Sequence, residues 1–282
     1  MSALVKIRAE RDQLSAIERR IADFVLENAQ LLRDYSSQQL ANALGISQSS
    51  VVKFCQKLGF KGYPDFKLSV SEALVRADNG NGGPHGAAEA DDPTPELARS
   101  LWQRKSEAEE ATRMINPAVT LQAVADAIGN AGKVYLIGMG DDDIHARMTA
   151  LRLSQLGIVA VHNFDAAHMA SSLSSAATGD VLLIFSEHGM QPALSHLCRY
   201  ARELQAQVIT VTRHSGNALR AQADLPLLVS AHDERAHVEP LLYHSALQHL
   251  MDQMFVLLCA SDVRRNARLR ANLARIQPLF DP

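Results

Sequence analysis

Two kinds of recognition chemistry are written into this chain of 282 residues. Between Ser36 and Lys67, hydroxyls, amides and lysines gather at short spacing: Ser37, Gln48, Ser49, Ser50, Lys53, Gln56, Lys57 and Lys61. Amides and hydroxyls near a helix N-terminus pair with base edges in a DNA major groove, and lysines beside them hold phosphates. Farther on, two stretches set glycines beside polar side chains: Gly138-Met-Gly-Asp-Asp-Asp143 and Ser186-Glu-His-Gly-Met-Gln191. A glycine turn that opens a helix exposes backbone amides, which suits a small polar ligand. The ligand-facing candidates are Gly138, Gly140, Asp142, Ser186, Glu187, His188, Gly189 and Gln191.

Local signals say how the first set is held. Ser36 or Ser37 can cap a short helix with Leu40, Ala41 and Leu44 on its apolar stripe, and Gly45 suits a left-handed stop. Ser47 can cap a second helix. At 100° per residue, Val51, Phe54, Cys55 and Leu58 share one face of it, opposite Ser49, Lys53 and Gln56. This is the pattern of a DNA-reading helix-turn-helix, with Lys67 a further phosphate contact; the alternative is a short helical hairpin in a core. A first helix is expected to start at Ser15, where Ser15 and Glu18 form a capping box. Leu14, Ile17, Ile21, Phe24 and Val25 recur at helical spacing behind it. Gly59 and Gly62 end the second helix of the pair, and Pro64 opens another bearing Phe66, Leu68, Val70 and Leu74. Residues 1–77 therefore read as an all-α head.

Residues 78–94, DNGNGGPHGAAEADDPT, hold no large apolar residue and read as a flexible linker. An amphipathic helix is expected from about 95 to 115, burying Leu97, Leu101, Ala108 and Met114. Beyond Leu121, five short apolar runs alternate with helix-length connections: Val134–Ile137, Ile158–Val161, Val181–Phe185, Val208–Val211 and Leu225–Val229. That alternation predicts a five-stranded parallel sheet covered on both faces, within a body spanning 95–282. The two glycine loops leave the first and third strands, where ligands of open parallel sheets collect. Pro240–Leu258 reads as a long apolar helix, either a dimer interface or a cover for the sheet. A basic terminal helix, RRNARLRANLAR, is expected after it.

Composition limits the classes. The first 77 residues carry 11 Lys and Arg against 8 Asp and Glu, and the remainder 17 against 23. A basic head on an acidic body fits a nucleic-acid module fused to something else. Cys55, Cys198 and Cys259 form no paired spacing, so neither a disulfide framework nor a zinc finger is expected. With no signal peptide and no long apolar run, the expected location is cytoplasmic, without a membrane. All 11 histidines lie beyond residue 84. His232, His237, His244 and His249 cluster in sequence, and His237, His244 and His188 could meet as metal ligands. Their spacing matches no zinc signature, and neither a metal nor another cofactor is expected.

The run LANALGISQSSVVKFCQKLGFKGYPDFK closely resembles the head of RpiR-type bacterial transcriptional regulators, with Lys53 where that family usually has arginine. Such proteins join a helix-turn-helix to a sugar isomerase (SIS) domain, a flavodoxin-like three-layer α/β fold. The resemblance to SIS is looser. The family's first loop is usually G-x-G-x-S; Gly138 and Gly140 match, and Asp142 replaces the serine. The second is usually S-x-S-G-x-T-x-E; Ser186 and Gly189 match, while His188, Gln191 and Ala193 depart. In the family those hydroxyls hold the phosphate of a phosphosugar, which Asp141, Asp142, Asp143 and Glu187 would repel.

The resemblance implies a regulator whose SIS domain senses a sugar or sugar derivative to control a palindromic double-stranded operator, as a homodimer or homotetramer without catalytic residues. Other readings stay open for the body: a pocket for a less anionic ligand, with Asp142, Glu187 and His188 lining it; a degenerate pocket in a dimerisation module, where the acids only cap a helix; retained sugar-phosphate binding; and a sugar-phosphate isomerase.

Overall fold

The computed structural model describes residues 3–33, 35–80 and 94–279. Its chain divides into two compact units, 1–111 with 231–242 and 112–230 with 243–282. Most of the expected linker, 81–93, lies outside the described residues.

The first unit holds α1 (Ala3–Glu10), α2 (Ala16–Glu27), α3 (Ser37–Leu44), α4 (Gln48–Lys57), α5 (Tyr63–Gly80) and most of α6 (Thr94–Ile115). Each start is chemically marked. The Ser15 hydroxyl accepts from the Glu18 N–H while the Glu18 carboxylate accepts from the Ser15 N–H, a reciprocal capping box. Ser36 and Gln39 repeat it for α3, which settles the choice between the two serines. Gly45 stops α3 in the left-handed region, φ 61°, where a side chain would be strained. Ser47 caps α4 through the Ser50 N–H.

The core of this unit is a single cluster of Ile7, Ile21, Val25, Leu40, Val51, Phe54, Phe66 and Val70 with their neighbours. Phe54 and Phe60 both meet the Phe66 ring edge to face, at 5.9 and 5.4 Å. Two expectations fail here. The first helix is α1, twelve residues before the expected start, because its buried side chains include two alanines, which give little apolar periodicity. Leu68 and Leu97, expected in cores, are 59% and 61% exposed.

The second unit is a doubly wound α/β layer structure. In order come α7 (Ala118–Asn130), β1 (Val134–Ile137), α8 (Asp142–Gln155), β2 (Ala160–His162), α9 (Ala166–Leu173), β3 (Val181–Phe185), α10 (Pro192–Glu203), β4 (Gln207–Arg213), α11 (Ala218–Gln222), β5 (Leu225–Val229), most of α12 (Glu239–Ser261) and α13 (Val263–Ile276). All pairings are parallel, in the order β2-β1-β3-β4-β5. The flavodoxin-like order places the switch point between β1 and β3. Three of the five strands have the bounds read from the apolar runs; β2 begins later, at Ala160, and β4 ends later, at Arg213.

Alternate strand residues feed the two faces. Tyr135, Ile137, Leu182 and Ile184 pack on Met169, Leu173, Leu194 and Leu197 of α9 and α10. On the other face Leu183 and Leu227 meet Leu153 of α8 and Met251, Met254 and Leu258 of α12 around a small cavity of about 20 Å³. Helix α12 is therefore a cover for the sheet within its own chain. The open edge of β5 is closed by side chains: Asn116 donates to the Leu228 carbonyl at 2.6 Å and accepts its N–H at 2.9 Å, and Thr112 does likewise at Ser230.

Candidate nucleic-acid interface and ligand site

Helix α4 buries Val51, Phe54 and Cys55, so its opposite side is turned outward by the same periodicity. Gln48, Ser49, Lys53 and Gln56 are exposed and Ser50 half-buried, a polar surface beginning at a helix N-terminus. Gln48 donates to the Ser37 hydroxyl at 2.8 Å, which ties α4 to the start of α3. Ser49 and Ser50 both contact the Ser47 hydroxyl at 2.8 Å. Lys53 projects from the middle of the surface. Lys57 is engaged with the Glu18 carboxylate at 2.7 Å, and Lys67 donates to the Tyr35 carbonyl at 3.1 Å. Lys61 is exposed, its backbone N–H bound by Asp65 at 2.9 Å.

The second site is built at the carboxyl ends of β1 and β3. Gly138 follows β1 because a Cβ there would lie 2.4 Å from the backbone of Asp142, so only glycine lets α8 start this close to the strand. The three acids that follow diverge. Asp141 makes no capping bond with its side chain. Asp143 pairs with His162 at 2.7 Å. Asp142 is buried, 8% exposed, and its Oδ2 accepts the backbone N–H of Glu187 at 3.0 Å. Asp142 and Asp143 lie in the first turn of α8, where acids are favourable, and the Asp142 carboxylate in addition spans to the neighbouring loop.

That loop, 186–191, is closed on itself. The Ser186 hydroxyl bonds the Gln191 side chain and accepts the Gly189 N–H at 3.1 Å. Gly189 has φ 62°, and a Cβ on it would collide with the Asn217 side chain. The Glu187 carboxylate is held by Arg213, and the Arg213 guanidinium lies 5.6 Å from the Tyr243 ring centre. His188 is exposed.

Behind this lie groups that sequence reading missed: Arg213 at the end of β4, His145 on α8, and Tyr243 on α12. His145 Nε2 contacts His244 Nδ1 at 2.9 Å, their rings stacked 5.1 Å apart. Burial, and then the charge of His244, push His145 down to about 4. Burial raises the Asp142 carboxyl above its ordinary range, assisted by the Glu187 charge and opposed by the Glu187 N–H. Burial also raises Tyr243, with the charges of Asp142 and Glu187 adding to it. Asp142 Oδ1, His145 Nδ1 and the Tyr243 hydroxyl are buried without a hydrogen-bond partner. The available signals were a polar stop after the fourth apolar run and a Tyr-His pair inside an otherwise apolar helix.

The histidines raised as conceivable, though not expected, metal ligands have other surroundings. His237 is exposed in the first unit, and His244 is bound to His145 in the second. Among the described residues no three His, Cys, Asp or Glu side chains are grouped to hold a metal, and no described helix is long and apolar enough to cross a membrane.

Residues 1–77 match the helix-turn-helix domain of the RpiR family, and residues 127–258 match the SIS domain. The chain is 30% identical over 281 residues to the uncharacterized HTH-type transcriptional regulator YfhH of Escherichia coli strain K12, covering 99% of this chain and 100% of that one. The chain belongs to the RpiR family of helix-turn-helix transcriptional regulators. As an RpiR-family protein it pairs a DNA-binding head with a SIS domain. Its fold is also that of the Vibrio vulnificus NanR protein complexed with ManNAc-6P, at 21% identity and a TM-score of 0.62 over 100% of both chains. The sugar isomerase domain of an RpiR transcription factor from Sphaerobacter thermophilus matches 65% of this RpiR-family chain and 99% of its own at a TM-score of 0.57, with 18% identity.

Proposed function

We propose that this regulator senses a small sugar or sugar derivative at the switch point between β1 and β3 and couples its binding to operator affinity. The observation that carries the reading is the linked cluster of Asp142, Glu187, Arg213 and Tyr243 at the strand ends, in a chain whose head presents the α4 surface. Its DNA target is a palindromic double-stranded operator, with Ser37, Gln48, Ser49, Ser50, Lys53 and Gln56 facing bases and Lys57 and Lys61 facing phosphates. Lys57 reaches a phosphate by leaving Glu18. The regulator works in the cytoplasm. The NanR relative, complexed with ManNAc-6P, supports a sugar-derived effector.

The protein acts without catalysis. An aldose-ketose isomerase needs a free base near the reacting carbons. Here the Glu187 carboxylate is held by Arg213, and His145, pushed down to about 4 by burial, is a weak base.

A symmetric pair suits a two-half-site operator. Ile144, Met148 and Leu151 lie within one stripe of α8 and are 59%, 36% and 61% exposed, an apolar face suited to a second copy of the chain. This replaces α12 as the preferred interface.

The test is fluorescence anisotropy of the full chain on operator DNA, titrated with a panel of free, amino, acidic and phosphorylated sugars. At least one is expected to change the DNA affinity about five-fold or more, the usual scale of allosteric coupling. An affinity indifferent to every sugar, at saturating concentration, would exclude the sensing role.

A further inference from the structure

Two features of the switch-point cluster speak to the chemistry of its ligand. The first is that an internal carboxylate already stands where a ligand oxyanion would be received. Loop amides after a strand are the groups that cradle a phosphate. Here the Glu187 N–H is taken by Asp142 at 3.0 Å and the Gly189 N–H by the Ser186 hydroxyl at 3.1 Å. A phosphate would have to displace an acid from its amide and then sit beside it.

The second is a pair of buried hydrogen-bonding groups left unsatisfied, one of them an acceptor only. Asp142 Oδ1 and the Tyr243 hydroxyl are buried and unpartnered. Their residues are 8% and 0% exposed. A carboxylate oxygen can only accept, so what completes it must donate. Among the nearby charges Glu187 is matched by Arg213 and Asp143 faces His162, while Asp142 feels His244 and His188 only through space and has no cationic side chain hydrogen-bonded to it. A positive donor satisfies both the oxygen and the charge, and charge-assisted bonds are the stronger kind.

We propose that the site takes an amino sugar carrying no phosphate, its ammonium group bound to Asp142 Oδ1 and the Tyr243 hydroxyl. This rests on the sugar-sensing reading above and narrows it to a substrate class. His145 Nδ1, buried and unpartnered beside His244, is left to meet a ligand hydroxyl. Since these atoms are sealed from solvent, entry requires loop 186–191 to lift, releasing Asp142 from the Glu187 amide and Glu187 from Arg213. Ligand binding is thereby coupled to a movement of the chain after β3.

The experiment is isothermal titration of the full chain with glucosamine, glucose, glucosamine 6-phosphate and N-acetylmannosamine 6-phosphate at neutral pH. Glucosamine is expected to bind about ten-fold or more tightly than glucose and than either phosphosugar. Asp142→Asn keeps an oxygen for the Glu187 amide and is expected to bring glucosamine and glucose to parity. Tyr243→Phe keeps the ring against Arg213 and is expected to weaken glucosamine about five-fold or more. Unchanged preference in both variants, with wild-type melting temperatures, overturns the assignment. Tighter binding of a phosphosugar than of glucosamine overturns the ligand class and leaves sugar sensing intact. No heat from any of the four, with no change in melting temperature, overturns the proposal, and the sensing reading falls with it only where the operator affinity is also indifferent to every sugar of the wider panel.

Discussion

The Asp142 carboxylate accepts the backbone N–H of Glu187 at 3.0 Å, tying the loop after β1 to the loop after β3 across the switch point. Because Glu187 is in turn held by Arg213 at the end of β4, three strand ends share one polar network. A ligand that breaks any member of it must disturb the others.

Glycine is required unequally in these loops. Both Gly140 and Gly189 have positive φ, 64° and 62°, but a Cβ on Gly140 meets nothing within 4 Å whereas one on Gly189 falls 2.1 Å from Asn217 Oδ1. Gly140→Ala should cost only the left-handed penalty, about 1 kcal/mol, and Gly189→Ala roughly 2 kcal/mol or more because the contact is added. Denaturant melts of the two variants compare them directly. Equal losses would show that Asn217 yields without cost.

His145 gives the body a pH dependence of definite sign. Its folded value of about 4 lies below the ordinary 6.5, so between those values the unfolded chain binds a proton that the folded chain does not. Stability from this group is fully present above about pH 6.5 and is lost as pH falls to about 4, by about 3 kcal/mol in all. Urea melts at pH 7.5 and 4.5 should differ less in His145→Gln than in the wild type. An identical pH dependence would mean that His145 does not carry this linkage.

On the head, Glu18 restrains Lys57 through a contact at 2.7 Å between half-exposed groups. Lys57→Ala should weaken all DNA alike and lower the salt slope by about 1. Glu18→Gln can keep its place in the capping box and should tighten non-specific binding slightly, by freeing the lysine. Salt-dependent anisotropy measures both, and no response in either variant would place Lys57 away from the phosphates.

The α8 stripe predicts an association behaviour. Leu151→Glu sets a charge on an exposed apolar face, which leaves the fold unchanged but opposes burial against a second copy. Sedimentation should give a lower mass for the variant than for the wild type, with the same melting curve at low concentration. A shared mass would move the interface elsewhere.

Much of the architecture was legible because its signals are local. Ser15 with Glu18, Ser47 and Gly45 mark helix ends by their own hydrogen bonds and backbone angles, and β1, β3 and β5 are short apolar runs that only a sheet covered on both faces can bury. Helix α1 was missed because two of its three buried side chains are alanines, which give weak periodicity. The glycine loops could be placed at the strand ends, but their internal pairing could not. Whether Asp142 caps its helix or reaches the Glu187 amide depends on residues 45 positions apart. His145 follows Asp142 by three residues on α8, a spacing that shares one helix face, whereas Arg213 and Tyr243 join the site only through the packing of β4 and α12.

The central claim, that α4 reads DNA sequence, is tested most directly by selecting from random duplexes with the full chain and with Lys53→Ala in parallel. The account predicts an enriched inverted repeat for the wild type, with two half-sites spaced by about one helical turn, and its loss or degradation for the variant. Enrichment that is identical in both, or the absence of any sequence beyond salt-sensitive background, would contradict it.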